Sequence, residues 1–272
     1  LAGVNVLGLA TEVQKLSVEE RRAIIATIAR EVSGSGILSV TVAGPSIGEQ
    51  RALVGYALDH GADFIILQPP DAGAFGGAVY IDFFLRVAEG FDTRFAIQNA
   101  PQYLGRALSR DDIGRLRAAN PRFDIIKAET SPVDLAALCE AAGPDLSVLN
   151  GRGGLEMTDS LRAGASGFIL APDAVDYGRD VFAAYIAGRT ADAEDIHRQA
   201  LPAIVFVMQS IEHLIAYGKR LFGLRAGFQI YDRAPSLAPT EFGLATMQRW
   251  AEALGPLSHP RPGSTLSGPS NR

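Results

Sequence analysis

The stretch His60-Gly-Ala-Asp-Phe-Ile-Ile-Leu-Gln68 decides the fold. Gly61 stops a helical pattern, as glycine commonly does just past a helix C-terminus. A short, nearly continuous apolar run follows at once. Such a run fits a parallel strand covered on both faces, where polar side chains have no free side to alternate onto. The arrangement returns at Ala163-Gly-Ala-Ser-Gly-Phe168, with Gly164 in the place of Gly61. Working outward, runs of the same kind occur at residues 4–8, 37–43, 95–98, 124–127, 146–149 and 167–171. Helical spacing fills the gaps between them. Ser17 followed by Glu20 forms a capping box ahead of the apolar-periodic residues 21–31. Strands alternating with helices indicate an α/β architecture around a parallel sheet.

Seven strands are one short of a closed (β/α)8 TIM barrel. The chain begins Leu1-Ala-Gly, without methionine. Two readings are open: a doubly wound sheet, or a barrel whose first strand and helix are absent from this chain. The second accounts for both observations and is preferred. After Pro172 the pattern is helical only, over 181–186, 193–217 and 240–254, with Gly188 and the segment 223–227 as separators. The expected organisation is an N-terminally truncated barrel over 1–190, a helical extension over 191–255, and a flexible Pro/Ser/Gly-rich tail over 256–272.

Composition narrows the function. The chain has 272 residues, 47% hydrophobic, a mean hydropathy of +0.13 and a formal charge of −5. No basic block suggests nucleic acid, and no apolar run reaches membrane-spanning length. The single cysteine, Cys139, lies in a helical pattern, so a disulfide framework is ruled out and a reducing compartment, most simply the cytoplasm, is expected. His60, His197, His213 and His259 show no metal-ligand spacing. No metal or cofactor is expected.

The chemistry points to Lys127. Of 25 basic residues only three are lysines, Lys15, Lys127 and Lys219. A chain that carries its positive charge on arginine yet keeps a lysine within Phe123-Asp-Ile-Ile-Lys-Ala-Glu129 calls for an amine there. Arginine cannot lose its proton, whereas a buried lysine can and then attacks a carbonyl. The alternative is a strand-end lysine that snorkels to solvent or pairs with Glu129. The architecture favours the first, because in parallel barrels the site forms at the carboxyl ends of the strands. Those ends read Leu9-Ala-Thr-Glu12, Gln68-Pro-Pro-Asp71, Gln98-Asn-Ala-Pro101, Lys127-Ala-Glu129 and Asn150-Gly-Arg-Gly153.

In their order and spacing, four motifs resemble the dihydrodipicolinate synthase / N-acetylneuraminate lyase superfamily of Schiff-base aldolases. They are Gly8-x-x-x-Glu12 with Leu16 and Glu19-Glu20-Arg21; Gln98-Asn-Ala-Pro101; Ile126-Lys-Ala-Glu-Thr130; and Asn150-Gly151 with Gly164-Ala-Ser-Gly167. The resemblance implies a (β/α)8 barrel with a C-terminal helical extension and homo-oligomeric assembly, usually a tetramer. It implies that Lys127 forms an imine with a small 2-keto acid such as pyruvate. On such a mechanism Thr11 and Gln98 would orient the substrate hydroxyls, Glu129 is the nearest candidate for a base or a partner to Lys127 (or a strand-end carboxylate that caps the next helix or pairs with an arginine), and Ala10, Asn150, Gly151, Ile169 and Tyr103 would lie around the substrate.

The chain also departs from the pattern. Most members carry tyrosine at Gln98, and glutamine performs no acid–base chemistry. Most read Thr-Thr-Gly-Glu where this chain has Leu9-Ala10-Thr11-Glu12. Synthases of the lysine pathway have arginine at Tyr103 and tyrosine at Asp71. Gln98-Asn-Ala-Pro101 and Lys127-Ala-Glu-Thr130 are closer to the 2-keto-3-deoxy sugar-acid dehydratases of the L-arabonate type. Three functions remain open: a Schiff-base dehydratase or aldolase, a dihydrodipicolinate synthase with an altered proton relay, and a catalytically silent homologue that binds a keto acid.

Overall fold

The structure, a computed structural model, describes residues 1–257. Of the tail expected over 256–272, residues 258–272, with His259, lie outside the described residues. The seven expected strands are all present: β1 (Gly3–Val6), β2 (Ile37–Val42), β3 (Phe64–Leu67), β4 (Arg94–Asn99), β5 (Phe123–Ala128), β6 (Ser147–Asn150) and β7 (Gly167–Phe168). They form one curled parallel sheet in sequential order. The first six helices are α1 (Val18–Val32), α2 (Ile47–Asp59), α3 (Gly77–Ala88), α4 (Pro101–Leu104), α5 (Arg110–Ala119) and α6 (Pro132–Ala142).

Local chemistry sets the helix starts. The Ser17 hydroxyl accepts the Glu20 N–H at 3.2 Å, and the Glu20 carboxylate accepts the Ser17 N–H at 2.8 Å, the expected capping box. Ser109 and Asp112 make a second box at α5, and Ser46 and Ser131 cap α2 and α6. At the expected helix stops, Gly61 and Gly164 take φ values of 84° and 100°, conformations that side-chain-bearing residues avoid. Ser17→Ala should lower stability by about 1 kcal/mol, read as a shifted urea midpoint at unchanged m-value.

The core separates the two faces of the sheet. Val40, Ile65, Leu67, Phe95, Ile97, Phe123, Ile126 and Val148 share one cluster with helix residues such as Ile25, Val54 and Phe84. Ile66, Ala96 and Ile125 form another, with Phe64, Leu149 and Ile169 packed against them. The second cluster is the inner face. Towards β1 the inner face turns polar, where the Ser39 hydroxyl donates to Asn5 Oδ1 at 3.0 Å and Asn5 Nδ2 donates to Thr41 at 3.1 Å.

One irregularity decides which way β5 faces. Phe95 pairs with Phe123, but Ala96 pairs with Ile125, so Asp124 is an extra residue, a β-bulge. Phe123 is therefore on the helix side, while Ile125 and Lys127 are on the inner side. The Asp124 carboxylate is held by Arg94 Nε at 2.8 Å, from the strand next door.

The chain divides into two compact units, the first being Leu1–Arg152 with Arg162–Ile169. The second takes Gly153–Leu161 and the chain from Leu170, with α7 (Met157–Arg162), α8 (Val175–Ile186), α9 (Thr190–Val207), α10 (Ile211–His213), a π-helical turn (Leu214–Gly218), α11 (Lys219–Ala226) and α12 (Glu241–Leu254). The single helix expected over 193–217 is broken: α9 ends at Val207, and Ser210 begins a new helix by accepting the His213 N–H at 3.2 Å. Gly223 lies inside α11, not between helices, and Gly227 closes α11 with φ 78°.

In this unit Arg225 is buried at the centre of a polar knot. Its guanidinium grips Asp176 bidentately at 2.9 and 2.7 Å and donates to the carbonyls of Asp173 and Gly255 at 2.7 and 2.8 Å. Lys219 serves the same unit, donating to the Tyr231 carbonyl at 2.9 Å.

Candidate active site

The carboxyl ends of β3, β4 and β5 carry a row of buried side chains. Lys127 lies on the inner face of β5, in register with Gln98 on β4 and Leu149 on β6. Its side chain is 6% exposed, and its Nζ is 2.8 Å from Oε1 of Glu129, itself 4% exposed. A single residue of extended backbone, Ala128, separates the pair, and a spacing of two positions returns both side chains to one face. The ion pair removes the desolvation problem that an isolated buried ammonium would pose. The expected alternative of a snorkelling lysine is thus not the arrangement found, whereas the expected pairing with Glu129 is.

Gln98 Nε2 donates to the same Glu129 oxygen at 2.6 Å, and Gln68 Nε2 donates to Gln98 Oε1 at 2.8 Å. Behind them Gln50, fully buried on α2, donates to the backbone carbonyls of Gln68 and Gly44 at 3.1 and 3.0 Å. Sequence reasoning placed Gln68 at a strand end without a role and gave Gln50 none. The only signal in the sequence was a glutamine at each of two neighbouring strand ends, Gln68 and Gln98.

Gly151 belongs to the same cluster. A Cβ there would lie 2.9 Å from Lys127 Cε and 3.0 Å from Glu129 Cγ. The backbone of Gly151 is not left-handed, so it is room for the lysine that calls for glycine. Gly151→Ala should leave the fold intact, checked by circular dichroism. It should slow keto-acid capture by about 10²-fold, because displacing a reacting group by a fraction of an ångström to an ångström costs that much.

The other expected site residues lie as follows. Asn150 is buried, and its Oδ1 accepts the Arg152 N–H at 3.0 Å; its side-chain amide nitrogen meets no partner. Ile169 is part of the inner apolar floor. The Thr11 hydroxyl donates to the Gly8 carbonyl at 2.6 Å within a 3-10 turn, Leu9–Thr11, that also carries Ala10; both Thr11 and Ala10 are exposed. No hydrogen bond joins that turn to the lysine row among the contacts found. Leu7 and Glu12, which flank it, hold φ values of 62° and 58°, strained conformations for residues with side chains. Glu12 pairs with Lys15 at 2.8 Å. Tyr103 is half-buried on α4, and Arg152 donates to Gln102 at 2.8 Å. In the glycine-rich loop after β3, the buried Tyr80 hydroxyl accepts the Phe75 N–H at 2.9 Å and pins the loop from beneath.

A buried amine beside a carboxylate, at the carboxyl end of a strand and above an apolar floor, is equipped for imine chemistry on a carbonyl compound.

Known proteins show the same fold. YagE, a prophage protein of the dihydrodipicolinic acid synthase family from E. coli K12, solved in complex with pyruvate, superposes with a TM-score of 0.86 at 22% identity, covering 93% of this chain and 87% of that one. The sialic acid aldolase of Ruminococcus gnavus gives 0.84 at 21% identity over 93% and 85%. These likenesses make the fold an α/β fold of the TIM-barrel type. An uncharacterised DapA-like lyase of Halobacterium salinarum is 23% identical over 239 residues, 87% of this chain and 76% of that protein. The family model for the dihydrodipicolinate synthetase family matches residues 1–241. This chain therefore belongs to the dihydrodipicolinate synthetase family, a family of lyases.

Proposed function

We propose that the protein is a lysine-imine lyase acting on a 2-keto acid, with 2-keto-3-deoxy sugar acids as the substrate class and dehydration or aldol cleavage as the reaction. The observation that carries this is the Lys127–Glu129 pair, buried and 2.8 Å apart on the inner face of β5. The pair can share a proton. Its transfer to Glu129 leaves a neutral amine, which attacks C2 of the keto acid. The carbinolamine loses its hydroxyl as water, with the proton returned by Glu129, and a protonated imine remains. Glu129 then removes the C3 proton, and the C–H electrons form the enamine while the imine electrons settle on nitrogen. The enamine expels the C4 hydroxyl, which takes the proton held by Glu129 and leaves as water, so that the carboxylate is restored. In the alternative outcome Glu129 takes the C4 hydroxyl proton of the same imine, the C3–C4 electrons form the enamine, and an aldehyde leaves.

Gln98 stands where a tyrosine would relay protons, so it binds and orients, and the carboxylate of Glu129 supplies the acid–base function. This favours the sugar-acid branch over a dihydrodipicolinate synthase. Ile169 and the apolar floor would lie under the bound carbon chain, with Gly151 beside the imine. The same proposal makes the protein a homo-oligomer of the cytoplasm that needs no cofactor.

The test is borohydride reduction in the presence of pyruvate and a panel of 2-keto-3-deoxy sugar acids, read by intact mass and peptide mapping. A reduced adduct on the Lys127 peptide is expected, and the acid that traps fastest identifies the substrate. Folded protein that gains no mass with any of them would be a silent homologue.

A further inference from the structure

We propose that Gln68 is a positioning residue of this site. It holds the Gln98 amide with its N–H on Glu129, which keeps Glu129 ionised as the acceptor of the C3 proton. The inference rests on the imine chemistry proposed above.

An amide side chain has one acceptor atom and one donor atom, so it faces its two neighbours in only two ways. Here Gln98 Oε1 is taken by Gln68 Nε2 at 2.8 Å, which leaves Gln98 Nε2 for Glu129 at 2.6 Å. The reversed amide would set oxygen against oxygen at that short separation, and only a protonated Glu129 could then meet it. The row of amides therefore has two polarities. One goes with the carboxylate, the other with the carboxylic acid. A donor at residue 68 selects the first.

Burial makes the selection effective. Gln68 is 3% exposed and Gln98 2%, so water does not replace a lost partner. Gln68 is itself anchored, since its backbone carbonyl is tied to Gln50, which also holds the Gly44 carbonyl. Lys127 and Gln98 both bond to Oε1 of Glu129. Oε2 carries neither bond and is the oxygen left to take the substrate proton. The glutamines carry no proton themselves; they set the direction in which the carboxylate's neighbours point.

The experiment follows two steps of one reaction with pyruvate as the probe. Borohydride trapping reads imine formation. Loss of the methyl proton signal in D2O, followed by NMR, reads removal of the C3 proton. Gln68→Met keeps the length and removes the donor. It should slow methyl exchange by about 10-fold, the worth of one well-placed hydrogen bond, and leave the end-point extent of trapping within about 2-fold, well below that scale. The acid limb of the exchange profile should move to higher pH, because the Gln98 amide is no longer held with its N–H on the carboxylate. In a Gln98→Met background, where the row is already cut, Gln68→Met should add nothing.

Equal losses of trapping and exchange with an unmoved pH profile would make Gln68 merely structural and overturn the proposal. So would an effect of Gln68→Met that survives in the Gln98→Met background. Failure of the unaltered protein to trap pyruvate or any sugar acid is a different result, and it would remove the imine reading together with this one.

Discussion

Lys127→Ala should gain no mass from pyruvate and borohydride, and its turnover should fall by about 10⁴–10⁶-fold, the range seen when a covalent nucleophile is lost. Nothing else at the site can form the imine. The other two lysines are committed elsewhere, Lys15 to Glu12 at 2.8 Å and Lys219 to the Tyr231 carbonyl at 2.9 Å. Alanine would leave Glu129 buried beside Gln98 without its cation, so a loss of activity could be confused with a loss of fold. Lys127→Arg separates the two. It keeps a positive charge for Glu129 but cannot give up a proton, so it should retain the melting temperature far better than alanine and trap as little. Trapping that persists in either variant, mapped to Lys15 or Lys219, would sink the assignment.

In the second unit, Arg225→Ala should cost about 3–5 kcal/mol, the penalty for leaving a buried charge without its partner. The guanidinium of Arg225 is wholly buried, as is the Asp176 carboxylate it grips at 2.7 Å. Two main-chain carbonyls, those of Asp173 and Gly255, would lose their donor at the same time. Arg225→Met combined with Asp176→Leu removes both charges and should recover much of the loss. The cost should also depend on pH. Burial pushes the Asp173 carboxyl up to about 6, with Arg225 pulling it back down. Without the arginine this carboxyl rises further above its unfolded value of about 3.9. A carboxyl raised in the folded state destabilises above its folded pKa, and protonation relieves that strain as the pH falls. Urea midpoints should therefore show a smaller deficit for Arg225→Ala at pH 5 than at pH 7.5. An equal deficit at both would mean that Asp173 does not feel the arginine.

The strands were legible because each is a short apolar run closed by glycine, proline or a polar strand end, and local sequence determines that much. The facing of β5 was not. Strict alternation puts Phe123, Ile125 and Lys127 on one side, yet Phe123 is in the outer core and Lys127 faces inward. A bulge needs no special residue, and Asp124 looks like any strand-edge aspartate. The break after α9 escaped notice for a similar reason. Residues 193–217 keep an apolar period throughout, and only the use of the Ser210 hydroxyl as a cap divides them. At the site, the lysine and its carboxylate could be found because their residue types are unusual in such a strand. Gln50 could not, since its role depends on α2 lying behind β3. For Thr11, sequence does not distinguish a hydroxyl aimed at a ligand from one that closes its own turn on Gly8.

The extra residue in β5 means that the identity of the lysine and its direction are inherited separately. A chain that kept residues 123–129 letter for letter but paired them in strict alternation would have to turn either Phe123 inward or the lysine out among the helices. Such a chain would still match the family motif, yet it would lose either a core phenylalanine or its inward amine. The bulge, pinned by Arg94 from the next strand, is what lets an outward phenylalanine and an inward lysine share one strand, and aligned letters alone do not reveal it.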